Sequence, residues 1–185
     1  MNFIIKELDN SIVKDIHQVD DEFEIVSKLV LHLKDGRLGY TTVSIPPKTK
    51  RYPPDDYDYA SYVGNPEKTA FLAYIEGQVA GELILHRHWN KFAWIEDIGV
   101  DRKFRRMGIG RALIARGLQW AKDKKLPGIM LETQDNNVGA CLFYESCGFV
   151  LMGFDSSLYK ASAYNDEIAL FWYLMLDNTA PVKLD

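Results

Sequence analysis

Two hydrophobic rhythms divide the chain. Where apolar and polar positions alternate, or apolar runs are rich in β-branched and aromatic residues, strands are expected. "NFIIKEL" reads as the first of them, and Asn10 to Val19 as a short helix opening at Asn10 or Ser11. "FEIVSKLVLHL" and "RLGYTTVSI" flank Asp35-Gly36, a strong two-residue hairpin signal. "PPKTKRYPPDD" holds four of the seven prolines and is expected to interrupt regular structure. "DDYDYASYV" then predicts a short helix ended by Gly64-Asn65-Pro66. Three strands follow: "TAFLAYIE", a turn at Gly77, "QVAGELILHRH", a turn near Trp89-Asn90-Lys91, and "FAWIEDIGV".

The second rhythm begins after these strands. Ile109, Ala112, Leu113, Gly117, Trp120 and Ala121 recur every three or four residues and mark the buried face of a helix from about Ile109 to Lys124. Lys122, Lys124 and Lys125 lie at its C-terminal end, where the helix dipole favours cations, and Pro127-Gly128 stops it. "IMLETQ" is a strand, Asn137 to Ser146 a second helix, "GFVLMGF" a strand and "EIALFWYLML" a long last strand. The order predicts an α+β, or mixed α/β, fold with at least one parallel crossover, from "IEDIGV" through the helix to "IMLETQ". There is no internal repeat, and we place no domain boundary: 1–185 is expected to be one domain.

Composition narrows the class. With 185 residues, 47% of them apolar, the chain can bury one real core. A net charge of −4 argues against a general nucleic-acid binder and suits a cationic partner. Cys141 and Cys147 sit six apart on one expected helix, share no face and imply no disulfide, as in a reducing cytosol. "MNFIIKELDNS" lacks the features of a signal peptide. The longest apolar run, Ile168 to Leu176, is about half a bilayer span. A cytoplasmic protein with no membrane partner is expected.

The candidate chemistry starts at "FRRMGIGRALI". Strand, loop and helix N-terminus follow one another, the usual geometry of a phosphate cradle. The loop lacks the Gly-Lys-Ser/Thr of a Walker A motif and the three-glycine spacing of a dinucleotide fingerprint. What stands is Arg105-x-x-Gly108-x-Gly110. Glycine costs about 1 kcal/mol against alanine inside a helix. Bare backbone N–H groups around an anion would repay that cost, with Arg106 and Arg111 adding charge, and a pyrophosphate fits. The bland alternative is a helix start with solvated arginines.

The next motif carries a resemblance. Asn137-x-x-Ala140-x-x-x-Tyr144-Glu145-x-x-Gly148-Phe149, following Val100-Asp101 and Arg105-x-x-Gly108-x-Gly110, resembles the GNAT superfamily of acetyl-CoA-dependent N-acetyltransferases in order, spacing and intervening strand. "HWNKFAWIEDIGV", "GFVLMGFDSSLY" and "EIALFWYLML" are similar to streptothricin (nourseothricin) acetyltransferases, so the resemblance covers nearly the whole chain, most loosely over the first 60 residues. It implies a mostly antiparallel twisted sheet, flanked by helices, in which the parallel strands "IEDIGV" and "IMLETQ" splay to admit the pantetheine arm. It also implies acetyl-CoA as cosubstrate, with the pyrophosphate on the backbone of Arg106, Met107, Gly108, Ile109, Gly110 and Arg111. Arg105, Asn137, Ala140 and Tyr144 are further cofactor contacts on this reading.

Transfer to an amine needs a neutral nucleophile, yet a lysine-like ammonium has a pKa near 10. A base must take its proton and a donor must meet the oxyanion. By the resemblance, Tyr144 stands beside the sulfur and protonates the leaving thiolate. Asn137 opens its helix as an N-cap. The oxyanion donor is expected as a backbone N–H near Ile98, Gly99 and Val100, where the family's strand carries a bulge. Glu96, Glu132 and Asp97 are candidates for the base and for anchoring the amine. Strand neighbours point to opposite faces, so one of Glu96 and Asp97 is expected to reach the substrate.

His86 and His88 alternate without an obvious third ligand, so no metal is expected. The cysteines read as buried small hydrophobes. "YPPDDYDY" is either a solvated loop or a wall for a polycation, and "ALFWY" is core or the interface of a homodimer. The leading function is acetylation of a primary amine on the β-lysine arm of streptothricin, which inactivates the antibiotic. The alternatives are a GNAT acting on another small amine, polyamine or protein amine, and a non-catalytic acyl-CoA-binding module.

Overall fold

The computed structural model describes residues 2–53 and 57–176. In chain order the elements are β1 (Ile4–Glu7), β2 (Phe23–Lys34), β3 (Arg37–Lys50), β4 (Lys68–Ile75), β5 (Gln78–Arg87), β6 (Ala93–Val100), α1 (Ile109–Asp123), β7 (Gly128–Gln134), α2 (Val138–Ser146), β8 (Val150–Asp155) and β9 (Ala169–Met175). The expected mixed α+β architecture is present. The two expected short helices appear as 3-10 turns, Val13–Asp15 and Tyr59–Tyr62. The chain groups into two compact units, residues 1–22 with 51–129 and residues 23–50 with 130–185.

In the first unit β1, β4, β5 and β6 lie in that order, each pair antiparallel. β4 is buried along almost its whole length because it is covered on both faces, so it reads as a continuous apolar run rather than an alternation. One face is covered by the N-terminal segment and the 3-10 turn at 59–62: Leu8, Ile12, Ile16 and Tyr62 pack with Ala70, Leu72, Tyr74 and Ile84. The other carries α1. A Cβ on Gly81 would stand 3.0 Å from Ile109 and 3.2 Å from Leu113, and one on Gly117 3.0 Å from Leu83. This close approach fixes the axial position of α1, and so of its N-terminus. The buried face of α1 matches the expected one except that Ile114 is buried and Ala112 only partly.

In the second unit β2 and β3 form the expected long hairpin, with Asp35 and Gly36 both at positive φ, +50° and +71°, as a two-residue turn of the right twist requires. β3 does not stop at its prolines. Ser27 faces Ser44 and Ile25 faces Lys48, so Ile45, Pro46 and Pro47 lie opposite Val26 alone. Proline lacks the N–H a ladder needs, and a bulge is where a strand tolerates it. Of the Pro/Asp/Tyr-rich segment, residues 54–56 lie outside the described residues. β7, β9 and β8 are neighbours in that order, β8 and β9 antiparallel, and the Leu29 N–H of β2 donates to the Asp135 carbonyl just past β7 at 2.8 Å. Among the described residues no helix is long and apolar enough to cross a membrane.

Candidate active site

In the first unit the loop from β6 to α1 is built by local hydrogen bonds. Asp101, buried, accepts from the N–H of Lys103 at 3.0 Å and of Asp20 at 3.2 Å. Arg105 spends its guanidinium on backbone carbonyls: Nε on Val100 at 3.1 Å, and Nη2 on Asp21 and Glu22 at 2.8 Å each. The structure thus makes Arg105 a brace of the loop. Arg106 and Arg111 are exposed. Arg106 has φ +68° and Gly108 φ +84°, left-handed residues of the kind that turn successive N–H groups toward one side. Gly108 is the N-cap of α1, and no side chain caps that end. The first N–H groups of a helix have no partner within it, so those of Gly108, Ile109, Gly110 and Arg111 lie at a positive dipole end.

β6 corrects two expectations. Leu85 faces Ile95 but Ile84 faces Asp97, so the bulge lies at Glu96; Ile98, Gly99 and Val100 pair in regular register with Leu83, Glu82 and Gly81. A bulge inserts one residue and resets the alternation. Glu96 and Asp97 therefore share a face, and both reach neighbours on it. Glu96 accepts from the Tyr62 hydroxyl at 2.7 Å and lies 3.0 Å from Nδ1 of His86. Burial and the Glu96 carboxylate push the Tyr62 phenol up.

Beside Asp97 stands a group with no place in the sequence motifs. Glu82 of β5, 1% exposed, accepts from the backbone N–H of His17 at 2.8 Å and contacts His17 Nδ1 at 3.2 Å. His17 Nε2 lies 2.8 Å from the Tyr59 hydroxyl, and Asp97 lies 3.9 Å from Nδ1 of the same ring, with its side chain 38% exposed. Burial, then the Glu82 carboxylate, push the Asp97 carboxyl up to about 7, while His17 pulls it the other way. The signal for Glu82 was a lone acid within the apolar run "VAGELIL"; His17 gave none.

In the second unit Asn137 caps α2 as expected, its side chain accepting from the Ala140 N–H at 3.3 Å. Tyr144, buried, packs against Phe149 and Trp172 at ring distances of 5.7 and 6.5 Å. Cys141 is buried, and burial pushes its thiol up to about 12; both cysteines are free thiols. Glu132 on β7 accepts from the Tyr159 hydroxyl, which itself accepts from Gln134 at 2.9 Å. Burial raises the Glu132 carboxyl, and the Tyr159 hydrogen bond partly offsets it. Buried Glu167 pairs with Lys50. His88 stacks on Trp94 at 5.0 Å.

Residues 38–149 match the acetyltransferase (GNAT) family. The chain is 37% identical over 162 residues to streptothricin acetyltransferase A of Bacillus subtilis, an alignment that spans 87% of this chain and 93% of that one. Among solved structures it is similar to a Bacillus anthracis protein assigned as a streptothricin acetyltransferase and crystallised with acetyl coenzyme A. That chain is 42% identical, with a TM-score of 0.89 covering 96% of this chain and all of the other. A nourseothricin acetyltransferase structure is 26% identical with a TM-score of 0.80, over 95% and 99% of the two chains.

Proposed function

We propose that this chain, which belongs to the acetyltransferase (GNAT) family, moves the acetyl group of acetyl-CoA onto a primary amine of the β-lysine arm of streptothricin. The observation that carries this reading is the 37% identity to a streptothricin acetyltransferase along 93% of its length, well beyond the two cofactor motifs. The acceptor is then a polycation, which suits the net charge of −4 and the carboxylates gathered on one face of β5 and β6. Residues 1–185 act as one N-acetyltransferase domain, and an enzyme that depends on acetyl-CoA works in the cytoplasm.

Each motif then has a role. The pyrophosphate lies on the N–H groups from Arg106 to Arg111, held by the helix dipole and flanked by exposed arginines. Asn137 and Ala140 contact the cofactor arm, and a backbone N–H of the 98–100 segment meets the thioester oxygen. The amine nitrogen bonds to the carbonyl carbon and gives its proton to a carboxylate. The C–S bond breaks, the leaving thiolate takes the phenol proton of Tyr144, and the phenolate regains a proton from water before the next turnover. Glu96 and Glu132, both tied to tyrosine hydroxyls, hold the cationic substrate as hydrogen-bonded anions.

The test is release of coenzyme A thiol with a panel of streptothricin, spermidine, an aminoglycoside and a lysine-rich peptide, followed by mass spectrometry of the product. A single added acetyl group on the β-lysine arm is expected. Acetylation of a different amine alone would keep the family chemistry and remove the antibiotic. Binding of acetyl-CoA without transfer to any amine would favour a sensing module.

A further inference from the structure

The N-terminal segment reaches β5 and β6 through an unusual backbone conformation. His17 has φ +60°, a value non-glycine residues adopt only when surrounding contacts hold them there. Those contacts are with Glu82, which takes both the His17 N–H and its ring. One polar side-chain atom each of His17, Glu82 and Asp97 lies within 4.8 Å of the others. Glu82 is sealed from solvent, whereas Asp97 keeps over a third of its side chain accessible. The β6 bulge at Glu96 turns Asp97 to this face.

We propose that Asp97 is the catalytic base that takes the proton of the attacking amine, and that His17 and Glu82 are positioning residues that hold it for that step. Asp97 stands within 4.8 Å of Glu82, and the like charge there favours the protonated form of the Asp97 carboxyl. His17, clamped between Glu82 and Tyr59, donates to Glu82 and keeps the negative charge of the pair from growing too costly. As the N–C bond forms, the amine N–H breaks and the proton becomes the Asp97 carboxyl hydrogen. It leaves to water through the accessible side of Asp97 before the next turnover. A carboxyl poised near neutrality is a far better proton acceptor for this purpose than one at its ordinary value. Asp21, itself paired with Arg51 at 2.9 Å, also acts on Asp97, while Glu96, the next residue on β6, is engaged by Tyr62 and His86.

This inference rests on the acetyltransferase reading, and its test separates the two. kcat is measured against pH with saturating acetyl-CoA and streptothricin for the whole chain and for Asp97→Asn, Glu82→Gln and His17→Asn. Asparagine is chosen for His17 because it tolerates positive φ. Asp97→Asn should lower kcat about 100-fold or more, with acetyl-CoA affinity unchanged. The other two variants should move the acid limb of the profile in opposite directions. Glu82→Gln removes a like charge and shifts the limb to lower pH, whereas His17→Asn removes a favourable donor and shifts it to higher pH. Opposite shifts cannot come from a common loss of packing. An active wild type whose profile survives Asp97→Asn overturns this proposal and leaves the acetyltransferase reading standing. Limbs that do not move in opposite directions in folded Glu82→Gln and His17→Asn overturn the positioning roles. A wild type that acetylates none of the panel amines defeats the acetyltransferase reading, and with it this proposal.

Discussion

The phenol of Tyr159 donates its hydrogen bond to the carboxylate of Glu132. A partly buried carboxylate with a neutral donor keeps its charge at less cost than a bare one, and that charge is what an ammonium group needs. Removing the donor leaves burial and the Glu167 carboxylate unopposed and raises the Glu132 carboxyl further. We therefore expect Tyr159→Phe to raise KM for the amine about tenfold, the scale of one charge-assisted hydrogen bond, with acetyl-CoA affinity unchanged. Glu132→Gln should do the same more strongly. Steady-state kinetics with each substrate varied in turn decides the matter; a fall in kcat at constant KM would make Glu132 a base instead.

Gly108 offers a separate handle on the cofactor. A Cβ built there meets no protein atom within 4 Å, so a side chain would collide only with a ligand, but φ +84° also strains any L-residue. Gly64, at φ +64° and equally open, provides the control. Gly108→Ala and Gly64→Ala should each lose about 1–2 kcal/mol of stability. Only Gly108→Ala should also weaken acetyl-CoA binding, read by calorimetry on folded protein. Equal affinities in the two variants would remove the pyrophosphate from this loop.

Tyr144→Phe keeps the ring contacts with Phe149 and Trp172 and removes only the hydroxyl. The fold and the cofactor affinity should persist. If the phenol proton is used as the thiolate leaves, kcat and kcat/KM fall together, by about 100-fold for loss of a general acid. A wild-type kcat at saturating amine would leave Tyr144 as a packing residue.

Local signals accounted for much of this architecture. The Asp35-Gly36 hairpin, the periodic face of α1 and the Asn137 cap each depend on residues close in sequence, and periodicity and cap chemistry report such neighbours directly. What escaped depends on partners far along the chain. Pro46 and Pro47 continue a strand only because they sit in a bulge of β3, which is defined by its register with β2. The alternation rule failed at Glu96 because the extra residue is defined by register with β5. His17 and Glu82 are 65 positions apart, and Glu132 and Tyr159 are 27 apart. No pattern within one window encodes such pairs. Arg105 shows the same limit in reverse: its motif suggested a cofactor contact, and the fold spends its guanidinium on the carbonyls of Val100, Asp21 and Glu22.

The Asp97 carboxyl has an ordinary value of 3.8 and is pushed up to about 7 in the folded chain. Between those two values the native state holds a proton that the unfolded chain has released. Stability must then fall as pH rises through that window, because the native state binds more protons than the unfolded one. Below the window both states are protonated and Asp97 contributes nothing; above it both are ionised and the whole cost of holding the charge beside Glu82 remains. Asp97→Asn is neutral at every pH and escapes this cost. Its stability relative to wild type should therefore grow across the window and then level off. Urea unfolding at a series of pH values measures the difference, and a constant offset across the window would show that Asp97 carries no such burden. A variant that is more stable at alkaline pH yet has lost transfer would mean that the chain keeps an unfavourable charge where the reaction needs a base.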